Sequence, residues 1–574
     1  MNNRPTLSAA IVLCAISTAY ANNNFEQQRQ QAGALSQEFN QQREQRLDKP
    51  AGQLFNNPVK SSTSNKNAAL HFQLKQIEVK EFISDKEQNQ TTQAVTEDLS
   101  YLLNNYLNRT ITFNDLSQLT EQITQYYRSH DYLVARAFLP PQEIENGHLI
   151  IGLIKGKVGQ VTVDNQSNLT ESFVHRIANT TVGSASYLAQ SEVEKFALLL
   201  NDIQGVKPNI SIQAGQQQGS TDINVKLQDG KRWKAYLFAD NQGTKQTGEY
   251  RMSGGVKLFN LAGVGDILNI DLLSSQNARL KSAMLDYSGL IDGYGTRLGA
   301  FASRLDYKLG GDFSVLGAKG HSDSVGAYLL HPTLRQPNLT LNTKLTFEHN
   351  RLVDSQSEPR TVESISKINK VSLELNGIWN VVRGGVTYFK AGATIGSEKN
   401  STTESYQDRP KDWEPTNRFT LVNLELGYEQ ALPKNFAVDL NLRSQLSDRN
   451  ISSSQKMLLG GNSGVRGYRI GVVSVSDGVV GQFALKHYQP LFKDSLLTSS
   501  LFYDVGAGKK YHDINEYEDR PEDTNHVNLQ SVGVGFQLSS PDNYLISLSY
   551  SLPIRQRIQG EKRHQLALSI AKLF

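Results

Sequence analysis

From Arg232 to Phe574 apolar and polar residues alternate with a period of two, and few folds tolerate that pattern over so long a stretch. In "LVNLELGYEQAL" the residues Val422, Leu424, Leu426 and Tyr428 fall on one face, opposite Asn423, Glu425, Gly427 and Glu429. In "NFAVDLNLRSQL" Phe436, Val438, Leu440 and Leu442 stand opposite Ala437, Asp439, Asn441 and Arg443. One face is greasy and the other carries charge. A soluble sandwich would show short turns at both ends. Here tight connections such as "ALPKN" and "SSPDN" alternate with long polar ones such as "GKKYHDINEYEDRPEDTN". Short turns on one side and long loops on the other are expected of an outer-membrane β-barrel. Backbone groups in lipid must all be paired, which only closure achieves. From "WKAYLFADNQ" to "HQLALSIAKLF" the count comes to about 16 antiparallel strands, an even number as such barrels require. The terminal Phe574 reads as a signal to the barrel assembly machinery.

Upstream the chain changes character. Arg4, the apolar run "LSAAIVLCAISTAY" and Ala19-Tyr20-Ala21 read as an export signal over residues 1–21. The run falls short of the roughly 20 residues of a membrane span. Cys14, the only cysteine, lies inside it, which excludes a disulfide framework. Residues 22–47 are rich in Gln, Glu and Arg and favour helix. Phe25, Leu35 and Phe39 are among its few apolar members. A helix polar nearly all round must be solvated or sit in a polar cavity, and a disordered tail fits the composition equally well. Residues 48–69, with two prolines and a Ser/Asn cluster, read as linker.

Residues 70–155 and 156–230 read as two α/β modules, each of order strand, helix, helix, strand, strand. In the first, Leu116, Leu119, Ile123 and Tyr127 make a helical face whose start Asn114 or Asp115 can cap. Each module leaves a strand edge able to accept another chain. Charge adds little, since 59 basic and 56 acidic residues leave a net +3 and no case for a nucleic-acid partner. The eleven histidines are scattered without ligand spacing, no Ser/His/Asp set stands out, and no phosphate-cradling loop is present, so neither enzyme nor cofactor is expected. "VGVGF" at Val532–Phe536 reads as an ordinary glycine-spaced strand.

"LGGNSGVRGYRIG", Leu459 to Gly471, sets Arg466 among glycines in a connection between strands. Counting by two from Leu497 through Leu501 and Tyr503 on the lipid side puts Phe502 and Asp504 in the lumen. An arginine folded inward would meet that carboxylate, with Tyr468 and Phe502 beside the pair. Val465-Arg466-Gly467-Tyr468 matches the VRGY motif, and Phe502-Tyr503-Asp504 the F-x-D motif, of a known family. With the signal, N-terminal helix, two modules and barrel, the whole chain resembles the TpsB transporters of two-partner secretion. Within that family it looks most like transporters of contact-dependent inhibition toxins, haemolysins or adhesins.

The resemblance implies a transmembrane barrel over 231–574 with a sixth external loop, about 447–479, folded inward. It implies two periplasmic POTRA domains that bind the secretion domain of a TpsA-type exoprotein, and an N-terminal helix that plugs the lumen. The surrounding partner would be outer-membrane lipid. An insertase of other barrel proteins shares the VRGY motif but typically carries more POTRA modules. A general porin would not explain the modules.

Overall fold

The computed structural model describes residues 72–574 apart from 85–89, 96–97, 183–186, 218, 358–361, 382–383, 403–416, 493, 514–524, 542, 556–557 and 559–561. The expected signal, plug helix and linker, with Phe25, Leu35 and Phe39, lie outside the described residues.

The first module contains β1 (Phe72–Leu74), β2 (Gln76–Ser84), β3 (Gln90–Ala94), α1 (Ser100–Leu103), β4 (Arg109–Ile111), α2 (Phe113–Ser129), β5 (Arg136–Phe138) and β6 (His148–Ile154). Its sheet runs β3-β2-β6-β5, with β1 and β4 paired apart. Leu119, Ile123 and Tyr127 of α2 bury against Leu149, Ile151 and Leu153 of β6, as the 3.6-residue period requires. The cap of α2 differs from expectation. Thr112 holds it, accepting from the Asp115 amide at 3.2 Å, while the Asp115 carboxylate accepts from the Thr112 amide at 2.8 Å. The helix begins at the exposed Phe113, ahead of its apolar face, so Asp115 closes a capping box from the third position. The short strands β1, β3 and β4 also exceed the expected order; they carry too few residues for a period to show.

The second module is β7 (Lys157–Gln166), α3 (Glu171–Thr181), α4 (Gln190–Asn201), β8 (Val206–Ala214) and β9 (Ser220–Asp229), with sheet order β7-β9-β8. Phe173, Ile177, Phe196 and Leu200 pack on Ile223, Val225 and Leu227.

The barrel strands follow: β10 (Trp233–Asp240), β11 (Arg251–Phe259), β12 (Ile267–Ser275), β13 (Leu280–Leu290), β14 (Arg297–Lys308), β15 (Lys319–Arg335), β16 (Leu339–Gln356), β17 (Val362–Val381), β18 (Gly385–Thr402), β19 (Arg418–Leu432) and β20 (Phe436–Ser447). A two-residue pair, β21 (Met457–Leu458) and β22 (Ser474–Val475), sits in the next loop. Then come β23 (Asp477–Phe492), β24 (Ser495–Lys509), β25 (His526–Ser540), β26 (Tyr544–Arg555) and β27 (Gln565–Leu573). Sixteen strands, β10–β20 and β23–β27, close antiparallel, with β10 paired to β27. The alternation sorts the faces: Val422, Leu424, Leu426 and Leu442 are exposed on the outside. Inside, charges are paired, as in Lys370–Glu348 at 3.1 Å and Lys390–Glu374 at 2.8 Å. The turn in "ALPKN" places Lys434 and Asn435 both at φ 61°, the mirror-type turn that matches strand twist.

The second module is joined to the short-turn end of the barrel. Arg335 grips Asp202 with two nitrogens at 2.7 and 2.8 Å. The Asn260 side chain donates to the Gln204 carbonyl at 2.8 Å, and the Thr170 amide to that of Gly263 at 2.9 Å. Val264 of a barrel turn and Leu290 at the end of β13 extend the module's own core. That end is therefore the periplasmic mouth.

Candidate functional site

The loop from Asp448 to Ser476, sixth on the external side, folds back into the barrel. Arg466 meets Asp504 in a forked pair, Nε to Oδ2 at 2.8 Å and Nη2 to Oδ1 at 2.6 Å, and its backbone amide donates to the same Oδ2 at 3.0 Å. Asp504 is completely buried. A planar guanidinium can satisfy both carboxylate oxygens at once, which an ammonium cannot. The Arg466 guanidinium carbon lies 3.6 Å from the Phe502 ring centre, stacking the cation on the aromatic face.

The neighbouring motif residues secure the backbone. Gly467 donates to Ser531 Oγ at 3.2 Å, and Ser551 Oγ donates to the Arg466 carbonyl at 2.8 Å. A Cβ on Gly467 would stand 2.6 Å from that of Ser531, so only glycine lets the loop lie this close to the wall. Gly461, at φ +94°, makes the turn before it. Val465 and Tyr468 are buried in an apolar cluster with Leu459, Val475, Val480 and Leu529. The Tyr468 hydroxyl donates to the Arg555 carbonyl. Phe574 ends the chain against the first barrel strand, its amide donating to the Ala235 carbonyl at 2.9 Å.

Further anchors went unread in the sequence. Arg443 Nη1 donates to the Ser463 carbonyl at 2.8 Å, and Gln482 Nε2 to that of Gly464 at 2.7 Å. Arg469 reaches Glu249 of the first external loop at 2.6 Å. The inward parity of Arg443 was the available signal; its partner, a loop carbonyl, leaves no trace in residue type. Gly533 of "VGVGF" is more than a strand glycine, because a Cβ there would stand 2.4 Å from the Phe502 ring.

The two modules are also coupled. Lys155 and Glu81 of the first, both buried, pair at 3.4 Å. The Tyr187 hydroxyl of the second donates to Glu81 at 3.0 Å. Burial and that carboxylate push the Tyr187 hydroxyl pKa up. Lys155 Nζ lies 5.4, 5.5 and 5.8 Å from the ring centres of Tyr127, Tyr132 and Tyr187.

An apolar exterior and a charged, paired interior define a β-barrel of the outer membrane, and its docked modules extend into the periplasm as POTRA domains. Residues 219–538 match the family model "Haemolysin secretion/activation protein ShlB/FhaC/HecB", and 72–156 match "POTRA domain, ShlB-type". The chain is 42% identical to the heme/hemopexin transporter protein HuxB of Haemophilus influenzae over 100% of both chains. It is 27% identical to the outer membrane transporter CdiB of Dickeya dadantii, over 78% of this chain and 77% of that one. The solved structure of CdiB from Escherichia coli superposes with a TM-score of 0.70 at 18% identity, covering 96% of this chain and 99% of that one, which is a likeness of fold. The chain belongs to the ShlB/FhaC/HecB family of haemolysin secretion/activation proteins. It is thus a two-partner secretion transporter, moving a partner exoprotein across the outer membrane, and not an enzyme.

Proposed function

We propose that the partner is an exoprotein concerned with heme or hemopexin. The observation that carries this is the level of similarity: 42% identity over the full length to a heme/hemopexin transporter, against 27% to a CdiB and 23% to the haemolysin transporter HpmB of Proteus mirabilis. A contact-dependent inhibition toxin, a haemolysin or an adhesin, the cargo expected from the resemblance, ranks behind it. In the proposed cycle the POTRA domains capture the unfolded exoprotein by strand addition and the lumen conducts it outward, with folding outside supplying direction. The Arg466–Asp504 clamp holds the sixth loop in the form that permits passage. The test begins by sequencing the genes that flank this chain's own and co-expressing it with a large exoprotein encoded there. That protein should reach the medium only when this chain is present and should bind heme or hemopexin there. Export of a protein that binds neither would remove the cargo assignment and leave the transporter standing.

The same reading assigns residues 1–21 to a signal and 22–47 to a helix that plugs the pore at rest, supported by a polar surface suited to a charged lumen. Deleting 22–47 behind an intact signal should raise single-channel conductance in planar bilayers, with secretion at least partly kept because the linker is long. Unchanged conductance would place the segment outside the pore.

A further inference from the structure

The outer face of β14–β18 carries a row of charge near the external ends of the strands. Register aligns Arg304 with Asp323, Asp323 with Arg351, Arg351 with Lys367, and Lys367 with Lys399. Arg304 is answered by Asp306 at 3.0 Å and Asp323 at 3.1 Å, and His321 also faces Asp323 at 3.6 Å. Arg351, Lys367 and Lys399 are exposed and form no ion pair among the described residues.

Three cations directly opposite one another on adjacent strands, about 4.8 Å apart, repel and destabilise the pairing. An anion lying across them would remove that repulsion. Toward the external ends of β24 and β25 the outward positions Val505, Ala507, Asn528 and Gln530 are uncharged, and the single cation Lys509 follows opposite His526, so no three cations stand side by side there.

The height of the row identifies the anion's source. Along β17 the outward residues run from Trp379 through Leu375, Leu373 and Val371 to Asn369 and Lys367. From Trp379 to Lys367 the strand climbs about 40 Å, or about 30 Å along the membrane normal at a tilt of about 40°. Lys367 therefore stands just beyond the external edge of an apolar band of about 25 Å.

Below the row lies a depression of about 810 Å³. Its apolar wall is a second aligned set, Ala327, Phe347, Val371 and Ile395. His349, Asn369 and Arg418 form its polar rim, and His349 and Asn369 bond to each other at 2.8 Å. An apolar groove leading up to a polar rim and a cationic row matches one molecule with acyl chains below and phosphates above.

We infer that this exterior groove is a binding site for a phosphorylated glycolipid of the outer leaflet, with acyl chains on Phe347, Val371 and Ile395 and phosphates on Arg351, Lys367 and Lys399. Such a lipid would hold β15–β18 at a fixed tilt, and β15 is the strand whose Arg335 grips Asp202 of the second POTRA domain.

The test is native mass spectrometry of the full chain extracted in mild detergent and offered bisphosphorylated lipid A, the same lipid dephosphorylated, cardiolipin or inorganic phosphate. The bisphosphorylated glycolipid should be retained about tenfold better than its dephosphorylated form, in a comparison that needs no variant. The triple change Arg351→Ser, Lys367→Ser, Lys399→Ser should lower retention about tenfold, while Arg351→Lys, Lys367→Arg, Lys399→Arg should keep it. Equal retention of the two glycolipids, or full retention by the serine variant, would overturn the site. Cardiolipin held as tightly as the glycolipid, or free phosphate displacing it at equal concentration, would overturn the assignment to that lipid.

Discussion

Secretion of the partner exoprotein is expected to fall sharply, but to a level still measurable above background, in Arg466→Ala and in Asp504→Ala, with the barrel still present in the outer membrane at near wild-type amounts. Removing the guanidinium strands a fully buried carboxylate with only the Arg466 amide and, at 3.5 Å, the Ser531 hydroxyl for company. Breaking a buried pair from one side costs about 3–5 kcal/mol. The barrel itself survives because its strand ladders and apolar exterior do not depend on the loop. The two changes differ in one respect. Asp504→Ala also deprives the Arg466 amide of its acceptor, so its loss should be at least as large. The double variant should be little worse than either single one, since each already destroys the shared contact. Arg466→Lys keeps the charge but loses the fork and the stacking on Phe502, and should secrete at an intermediate level. The measurements are exoprotein in the medium, and heat-modifiable mobility of the barrel as a check on folding. Wild-type secretion by Arg466→Ala, or losses that multiply in the double variant, would show that the two residues do not act as one clamp.

Half of that clamp was legible in the sequence by simple parity, and the inward fold of the loop that carries Arg466 was what the family resemblance implied. Lipid on one side and a polar lumen on the other force strict alternation, so counting from Leu501 sends Asp504 inward without knowledge of the fold. The same logic made the barrel and its strand number readable. It could not reach Ser531, Ser551 or Gly533, whose importance arises only when a distant loop is laid against them. A serine in a strand carries no mark of the backbone it will bond. The capping box at Thr112 was missed for a local reason, the exposed Phe113 hiding the true start of the helix. The Asp202–Arg335 fork and the Lys155 cage join segments far apart in the chain, and nothing in either segment names its partner. The kind of cargo cannot be read from the motifs, because VRGY and F-x-D are shared across the family. Only identity along the whole length separates its branches.

The Lys155 cage leads to the second large effect. Lys155 directly follows β6, the last strand of the first POTRA domain, with its ammonium enclosed by three tyrosines and Glu81, while Tyr187 comes from the second domain and bonds Glu81. Backbone contacts run alongside: the Leu133 amide donates to the Leu188 carbonyl at 3.1 Å, and the Gln190 amide to that of Asp131 at 3.0 Å. Asp131 also caps the first turn of α4 across the boundary, accepting from the Ser191 amide at 2.8 Å. Modules so joined move as one body, and the second is itself fastened to the barrel through Arg335. In the proposed cycle, a chain captured by these domains would be presented to the pore in one orientation. Lys155→Ala would leave Glu81 buried without its cation, again at a cost of about 3–5 kcal/mol, which is enough to open this joint while each module keeps its own core. Spin labels on cysteines placed at the exposed Ser117 and Ser172 report on the two domains, and the only native cysteine, Cys14, falls in the expected signal. The distance distribution should broaden in Lys155→Ala and secretion should drop about tenfold. Tyr187→Phe removes a single hydrogen bond, worth about 1 kcal/mol, and should change both far less. A sharp, unshifted distance in Lys155→Ala with secretion intact would mean that the backbone contacts and the Asp131 cap hold the domains without the cage.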